Sequence, residues 1–211
     1  MTAHAPALLI FAKEPVAGAV KTRLARSIGA ERALRVYSDL LATTLAHAHA
    51  AWRARIVSRL ELWCDGDPDA PFLRGIGAAF GARRYPQCAG DLGARMAHAF
   101  ADALARSTPA LLIGSDCPLL DPTRIAQAVA ALASHDAVLI PAEDGGYVLI
   151  GTHAPIALPD VRWSTPFALE DTARRLRDAG RSCATLAPAW DVDDAQGLAR
   201  WDSIRAASRM T

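Results

Sequence analysis

The 211-residue sequence predicts an α/β fold built around a mainly parallel sheet, and two observations support this prediction. Short apolar runs alternate along the chain with segments whose apolar residues recur every three or four positions, as in amphipathic helices. Two of the runs, ALLIFAK from residue 7 and ALLIGSD from residue 110, end abruptly in charged and small residues. Buried parallel strands that present a functional loop at their carboxyl ends have this pattern.

The expected elements follow one another without a linker or repeat. Strand candidates are apolar runs bounded by turn residues, at 7–12, 55–64, 109–114, 136–141, 146–151 and 182–187. Helix candidates carry an apolar stripe, at 31–53, 91–106, 121–134, 165–179 and 194–206. Asp91 and Asp121 are expected to cap two of these helices, and Gly180 to end another. Such alternation predicts an α/β sandwich, in which ligands bind beyond the carboxyl ends of the strands.

Composition bounds the class of protein. The length suits one domain, residues 1–211, and a hydrophobic fraction of 52% supplies one core. A net charge of +1 argues against a general nucleic-acid partner, and no apolar stretch approaches the ~18 residues of a membrane span. The four cysteines lack CxxC spacing and are expected to be buried thiols in a reducing compartment. We therefore expect a cytoplasmic protein with neither nucleic-acid nor membrane partners.

The loop after the first strand, KEPVAGAVKTRL, is the first candidate binding segment. Lys13 and Lys21 are the only lysines of the chain, although Lys and Arg together number 23. Gly18 allows close backbone approach, and Arg23 adds charge where a helix can begin. The loop matches neither a Walker A motif nor GxGxxG. It is interpreted as a phosphate-binding loop, and the alternative is a solvated basic turn.

Asp116, at the tip of the strand 109–114, is the candidate metal ligand. Mg²⁺ and Mn²⁺ beside a diphosphate take one or two protein carboxylates together with phosphate oxygens. The alternative interpretation of Asp116 is a helix cap or turn residue. A second acidic segment, WDVDD from residue 190, places Asp191 and Asp193 on one side if it is extended. Asp194 there is alternatively the cap of the last helix.

Two further loops hold polar candidates. Residues 143–146, Glu-Asp-Gly-Gly, either turn the backbone around a ligand or form a hairpin, which is the commoner outcome. Trp163 and Ser164, in RWSTP, offer an aromatic wall and a hydroxyl, or simply a packed loop before a helix. Arg95, in DLGARM, lies near an anion or in an ordinary helix start.

The motifs FAKEPVAGAVKTRL, DLGARM, GSDCP, EDGGYVLIG, WST and DVDD occur in one order over about residues 8–198. This set resembles the DUF2064 family of bacterial GT-A-type glycosyltransferases. More distantly the chain is similar to the phospholactate and molybdenum-cofactor guanylyltransferases, which share the nucleotide-diphospho-sugar transferase fold. The resemblance implies a three-layer Rossmann-like sandwich that binds a nucleotide sugar or an NTP.

The resemblance also implies roles for the candidate residues. Lys13, Gly18, Lys21, Arg23 and Arg95 would bind the nucleotide and its phosphates. Asp116 would correspond to the metal-binding acid of the DxD region. The second acid of DxD is missing from Asp116-Cys117-Pro118, so Asp193 or Asp144 would have to complete a site for Mg²⁺ or Mn²⁺.

On the acceptor side, Asp144 would be the catalytic base or would bind a sugar hydroxyl. The sugar or a small-molecule acceptor would be held by the neighbouring turn and the aromatic loop: Glu143, Gly145, Gly146, Trp163 and Ser164. The predicted activity is transfer of a sugar from a nucleoside diphosphate. The alternatives are nucleotidyl transfer with release of pyrophosphate, and nucleotide binding without catalysis.

Overall fold

One seven-stranded sheet runs through the computed structural model, which describes residues 5–106 and 109–208. The strands are β1 (Ala7–Lys13), β2 (Arg59–Asp65), β3 (Arg83–Pro86), β4 (Ala110–Ile113), β5 (Ala137–Pro141), β6 (Tyr147–Thr152) and β7 (Cys183–Thr185). Their order is β3-β2-β1-β4-β6-β5-β7. β6 runs antiparallel to its neighbours β4 and β5, whereas the other pairs are parallel. The mainly parallel sheet is thus confirmed.

Helices cover both faces of this sheet. They are α1 (Thr22–Ile28), α2 (Ala30–Arg53), α3 (Pro71–Phe80), α4 (Leu92–Ala105), α5 (Pro122–Leu132), α6 (Ala168–Asp178) and α7 (Ala195–Ser208). Side chains alternate across β1, so Leu8 and Ile10 pack with α2, α3 and α5. Leu9 and Phe11 pack on the other face with α4 and α6. The predicted three-layer sandwich is therefore confirmed. In the described part of the chain, no helix has both the length and the apolar character needed to cross a membrane.

Some elements differ from the sequence-based expectation. The helix α3 and the edge strand β3 were not predicted, because two glycines interrupt PFLRGIGAAF and two arginines stand in RRYP. The strand expected from residue 55 begins at Arg59, since Arg55 has a left-handed φ of 61° in the turn that follows α2. The helix expected from residue 165 begins at Ala168. The expected caps form, with Asp91 accepting from Ala94 N–H and Asp121 from Arg124 N–H.

A third apolar cluster packs the helices that follow β1 against the segment that follows β7. Leu24 of α1 and Val36 of α2 pack there with Trp190, Val192 and Trp201. Trp190 and Val192 belong to the segment between β7 and α7, whereas α1 follows β1 directly. The cluster therefore holds the first basic loop against the last acidic segment.

Candidate active site

A cavity of about 980 Å³ opens at the carboxyl ends of the parallel strands. This volume falls within the upper range of small-molecule sites. Most of the predicted site residues line it: Lys13, Lys21, Arg23, Arg95, Asp116, Asp144, Gly146, Trp163, Ser164 and Asp193. Gly18, Glu143 and Gly145 are not among the lining residues. The fold thus gathers loops from across the sequence at one edge of the sheet.

An ionic cluster of Lys21, Asp116 and Asp193 forms the polar centre of the cavity. Lys21 Nζ lies 2.9 Å from Asp116 Oδ2 and 2.9 Å from Asp193 Oδ1. The Lys21 side chain is only 4% exposed, whereas those of Asp116 and Asp193 are 38% and 40% exposed. Burial lowers the pKa of Lys21, but the two carboxylates outweigh it and the net shift of the pKa is upward. Lys21 is therefore a protonated ammonium shared by two acids.

Backbone contacts bring these distant residues together. Lys21 is the N-cap of α1 and has left-handed backbone angles, φ 48° and ψ 46°, which are costly for a residue with a side chain. Val192 N–H donates a hydrogen bond of 3.0 Å to the Asp116 carbonyl, which ties the last acidic segment to the end of β4. Because Val192 is also buried in the third apolar cluster, Asp193 is held in place beside Lys21.

Neighbouring polar groups complete the centre of the cavity. Ser115 Oγ donates to Asp116 Oδ1 at 3.2 Å. The Tyr37 hydroxyl accepts from Lys13 N–H at 2.7 Å and donates to the Lys13 carbonyl at 3.0 Å, which fixes the end of β1. Asp191 also lines the cavity, and its pKa is raised to about 6 by burial, then by the negative charges of Asp193 and Asp144.

Asp116 and Asp193 fit the chemistry of a magnesium or manganese site. Their carboxylates converge on a single cation, the Lys21 ammonium, and both remain partly accessible from the cavity. Hard divalent ions need one or two such carboxylates when phosphate oxygens supply other ligands. Within residues 5–106 and 109–208, no cluster of three or more Asp, Glu, His or Cys has the arrangement of a metal site. In the part of the chain that the structure describes, Asp116 and Asp193 are thus the carboxylate pair available to such an ion.

One wall of the cavity is aromatic and carries hydroxyls. The rings of Tyr147 and Trp163 meet edge to face with centroids 6.4 Å apart, and Ser164 beside them has a left-handed φ of 59°. The indole of Trp163 packs against Gly93, where an added Cβ would lie 3.0 Å from the ring. At Gly145, φ is +89° and a Cβ would approach the Pro166 carbonyl to 2.2 Å. Gly145 therefore lets this loop pack closely and does not itself face the cavity.

An ion pair between the half-exposed Arg162 and the buried Asp171 anchors the same loop. Arg162 donates to the Asp171 carboxylate through Nε at 2.8 Å, Nη2 at 2.9 Å and its backbone N–H at 3.1 Å. Arg174 adds a further contact at 2.8 Å, and the side chain of Asp171 is 1% exposed. These hydrogen bonds, first from the side chain and then from the backbone of Arg162, lower the pKa of Asp171. The Arg162 charge is thereby committed to Asp171.

Other predicted residues are also committed to partners within the protein. Arg95 Nη1 lies 2.9 Å from Asp65 Oδ2, and its Nε donates to the Gly90 carbonyl at 3.0 Å. Glu143 pairs with Arg200 of α7 at 2.7 Å, outside the cavity. The prediction that Glu143 contacts a sugar is therefore not supported by its position.

Asp144 and Gly18 occupy turns. The Asp144 carboxylate accepts from Gly146 N–H at 3.0 Å, which closes the turn before β6 and leaves Asp144 on the cavity wall. Gly18 has a φ of +81° within the first loop, where its Cβ position is open. Gly18 therefore shapes the loop, and its neighbours Ala19 and Val20 line the cavity.

Three lining or supporting residues were missed in the sequence. Tyr37 stands in an apolar helical stripe and was expected only to pack. Asp171 follows Glu170 and stands shortly before Arg174 and Arg175, a charge pattern that is typical of a solvated helix face. Asp65 ends the β2 strand with a carboxylate, as Asp116 follows β4, and that similarity of position was the available signal.

Known proteins resemble this chain in sequence and in fold. The sequence profile of a family described as "Uncharacterized protein conserved in bacteria (DUF2064)" matches residues 44–165. A protein from Desulfovibrio desulfuricans G20, provisionally named a nucleotide-diphospho-sugar transferase, is 30% identical, with a TM-score of 0.79. The match covers 90% of this chain and 83% of that one. No curated protein sequence matches the chain.

More distant structures share the fold alone. The 4-diphosphocytidyl-2C-methyl-D-erythritol synthase of Anaerococcus prevotii DSM 20548 is 9% identical, with a TM-score of 0.63 over 95% of this chain and 97% of that one. Glucosyl-3-phosphoglycerate synthase of Mycobacterium tuberculosis, solved with Mn²⁺ and UDP, is 13% identical. Its TM-score is 0.53 over 97% of this chain and 76% of that one. Both synthases thus share the fold of this chain.

Proposed function

This chain belongs to the DUF2064 family, and from the layout of its cavity we propose that it is a glycosyltransferase with a nucleoside diphosphate sugar as donor. The acceptor is a small molecule that carries a hydroxyl group. Support comes from the fold, which the chain shares with nucleotide-diphospho-sugar transferases, and from the cavity volume of about 980 Å³.

The observation that carries the proposal is that the cavity has both a charged region and an aromatic wall. The ionic cluster lies beside two exposed cations, Lys13 and Arg23, which are available to a diphosphate. Beyond it, the wall of Tyr147, Trp163 and Ser164 offers ring surface and a hydroxyl group to a sugar.

A phosphorylated acceptor is less well served by this cavity. Nucleotidyl transfer from an NTP to such an acceptor requires a second cationic site, and Arg95 of DLGARM and Arg162 of RWSTP are the arginines in the other candidate segments. Arg95 is paired with Asp65, whereas Arg162 is bound to Asp171 and is not among the residues that line the cavity. Because neither arginine offers the cavity an unpaired guanidinium group, sugar transfer is favoured over the guanylyltransferase-like alternative.

Each group of residues has its own role in such a reaction. Lys13, Arg23 and Lys21 bind and orient the diphosphate by charge-assisted hydrogen bonds. Asp116 and Asp193 hold a Mg²⁺ or Mn²⁺ ion, which when bound stabilises the negative charge of the departing nucleoside diphosphate. Trp163 and Ser164 orient the sugar, so that the anomeric carbon faces the acceptor side.

Asp144 is the proposed catalytic base. Its exposed carboxylate stands on the cavity wall and is oriented by the Gly146 N–H. A carboxylate within hydrogen-bond reach of the acceptor hydroxyl takes up its proton as the new glycosidic bond forms. The bond between the anomeric carbon and the diphosphate oxygen breaks in the same reaction, and nucleoside diphosphate leaves intact.

Two assays on purified protein test the proposal. A panel of UDP-, GDP-, ADP- and dTDP-sugars with Mg²⁺ or Mn²⁺ should yield nucleoside diphosphate, slowly with water and faster with a cognate acceptor. The Asp116→Asn variant keeps the shape of the side chain, loses its charge and should lose this turnover. Pyrophosphate release from NTPs with phosphorylated acceptors, without nucleotide-sugar turnover, would overturn the proposal. Nucleotide binding with neither activity would favour a non-catalytic binder.

A further inference from the structure

We propose that Lys21 is a resident competitor of the divalent ion, whose ammonium must leave Asp116 and Asp193 before the metal binds them. The released ammonium then turns to the diphosphate, and this second half of the inference rests on the proposed function. Lys21 would in this way make metal binding depend on the nucleotide.

The competition follows from shared atoms. Asp116 Oδ2 and Asp193 Oδ1 each lie 2.9 Å from Lys21 Nζ, so the ammonium contacts one oxygen of each carboxylate. These are the same two acids that the chemistry of the cavity offers to a hard cation. An ammonium and a metal ion cannot both occupy the space between them.

At the two carboxylates, charge balance favours a divalent ion over the ammonium. A single ammonium between two carboxylates leaves a net negative charge, whereas one divalent ion neutralises both. Arg23 compensates weakly, since its Nη1 is 3.9 Å from Asp193 and its side chain is 69% exposed. In the described ranges, Asp116 has no cationic partner other than Lys21.

The cost of the exchange lies with Lys21. Its side chain is 4% exposed, and leaving the ammonium without a counter-ion in a buried position is strongly unfavourable. A diphosphate in the same cavity supplies the missing anion. The metal ion should therefore bind poorly to the protein alone and well with a nucleoside diphosphate. The metal ion neutralises the two carboxylates, and the diphosphate neutralises the ammonium that the metal ion displaces.

Manganese titration of the protein without nucleotide tests the exchange directly. Free Mn²⁺, followed by electron paramagnetic resonance, gives the dissociation constant for wild type, Lys21→Met and Arg26→Met. Arg26→Met removes one positive charge from the exposed side of α1, outside the cavity lining, and so controls for the change in net charge. We expect Lys21→Met to bind Mn²⁺ at least ~10-fold more tightly than wild type. Arg26→Met should differ from wild type by less than ~3-fold, because exposed charges are screened by salt.

Stability provides a second readout if Lys21→Met folds poorly. Without metal, its two acids repel each other and the melting temperature should fall below that of wild type. Added Mn²⁺ should then raise the melting temperature of Lys21→Met by more than that of wild type, by mass action. Equal Mn²⁺ affinity and equal Mn²⁺-induced shifts in wild type and Lys21→Met would overturn the proposal. Because no nucleotide is present, that result would leave the glycosyltransferase assays unaffected.

Discussion

Cationic side chains around the cavity differ in whether a carboxylate already neutralises them. Lys21 is shared by Asp116 and Asp193, whereas Arg23 is 69% exposed and 3.9 Å from the nearest carboxylate oxygen. The value of a cation to an incoming phosphate depends on this difference, since a committed charge must first give up its partner. Exposed cations on the cavity wall are therefore the better test of phosphate binding.

Replacing Arg23 by alanine should weaken nucleoside diphosphate binding by about 1.5–3 kcal/mol, the contribution of a charge-assisted hydrogen bond. Isothermal calorimetry with a nucleoside diphosphate and Mg²⁺ measures this loss. Arg26→Ala is the matched control, because Arg26 is an exposed arginine of the same helix and is not among the lining residues. Equal affinity in the Arg23→Ala and Arg26→Ala variants would remove Arg23 from the site.

At the scale of elements, the aromatic loop depends on α6 for its position. Arg162 at the start of the loop is tied by three hydrogen bonds to Asp171, in the first turn of α6. The first turn of α6 is also bound to the turn before β6, where Leu169 N–H donates to the Gly145 carbonyl at 3.0 Å, and Pro166 of the loop packs against Gly145. Two elements thus fix the wall that is expected to hold the sugar.

The Asp171 contacts predict a pH dependence of stability. Hydrogen bonds from Arg162 hold the pKa of Asp171 below its unfolded value of ~3.9. The stability that they contribute is therefore fully present above ~pH 5 and is lost as the pH falls through the folded pKa. Asp171→Asn should lower the melting temperature at pH 7 and make it less sensitive to acid below ~pH 4.

Thermal unfolding of wild type and Asp171→Asn between pH 3 and pH 7 measures this effect. Asp178→Asn, at the exposed end of the same helix, is the control and should behave as wild type. Parallel acid limbs for wild type and Asp171→Asn would contradict the assignment.

The strands and the strand ends could be predicted from the sequence, but the contacts between distant side chains could not. β1 and β4 were predicted because apolar runs stop abruptly at Lys13 and just before Asp116. β3 was missed because an edge strand needs little apolar surface. That Lys21 contacts an acid 172 positions away depends on how α1 and the last acidic segment pack. Periodicity within either segment carries no information about that contact.

At the scale of the molecule, the two main apolar layers support the sheet and the third cluster supports the site. Trp190, with 7% exposure, packs there with Leu24 of α1 and Trp201 of α7, and it is the first residue of the last acidic segment. We therefore expect the Trp190 ring to contribute to the stability of the fold and to the position of Asp193.

Trp190→Ala should cost about 3–5 kcal/mol of unfolding free energy, as expected for a large buried ring. It should also weaken Mn²⁺-dependent nucleotide binding, because Asp193 is no longer held beside Asp116. Denaturant unfolding and calorimetry at a temperature where the variant is folded measure the two effects. Trp52→Ala is the control, since Trp52 packs against Gly81, which follows α3, and lies outside the cavity lining. Loss of stability with unchanged binding in Trp190→Ala would contradict this role of the third cluster.

The hydrogen bond from Val192 to Asp116 has a consequence for biosynthesis. Lys21 and Asp116 leave the ribosome long before residue 193 is translated, and domains fold as their chains emerge. A nascent chain that has already paired β1 with β4 therefore carries an incomplete ionic cluster. The Lys21 ammonium therefore gains its second carboxylate only when the final segment docks and Val192 bonds to Asp116.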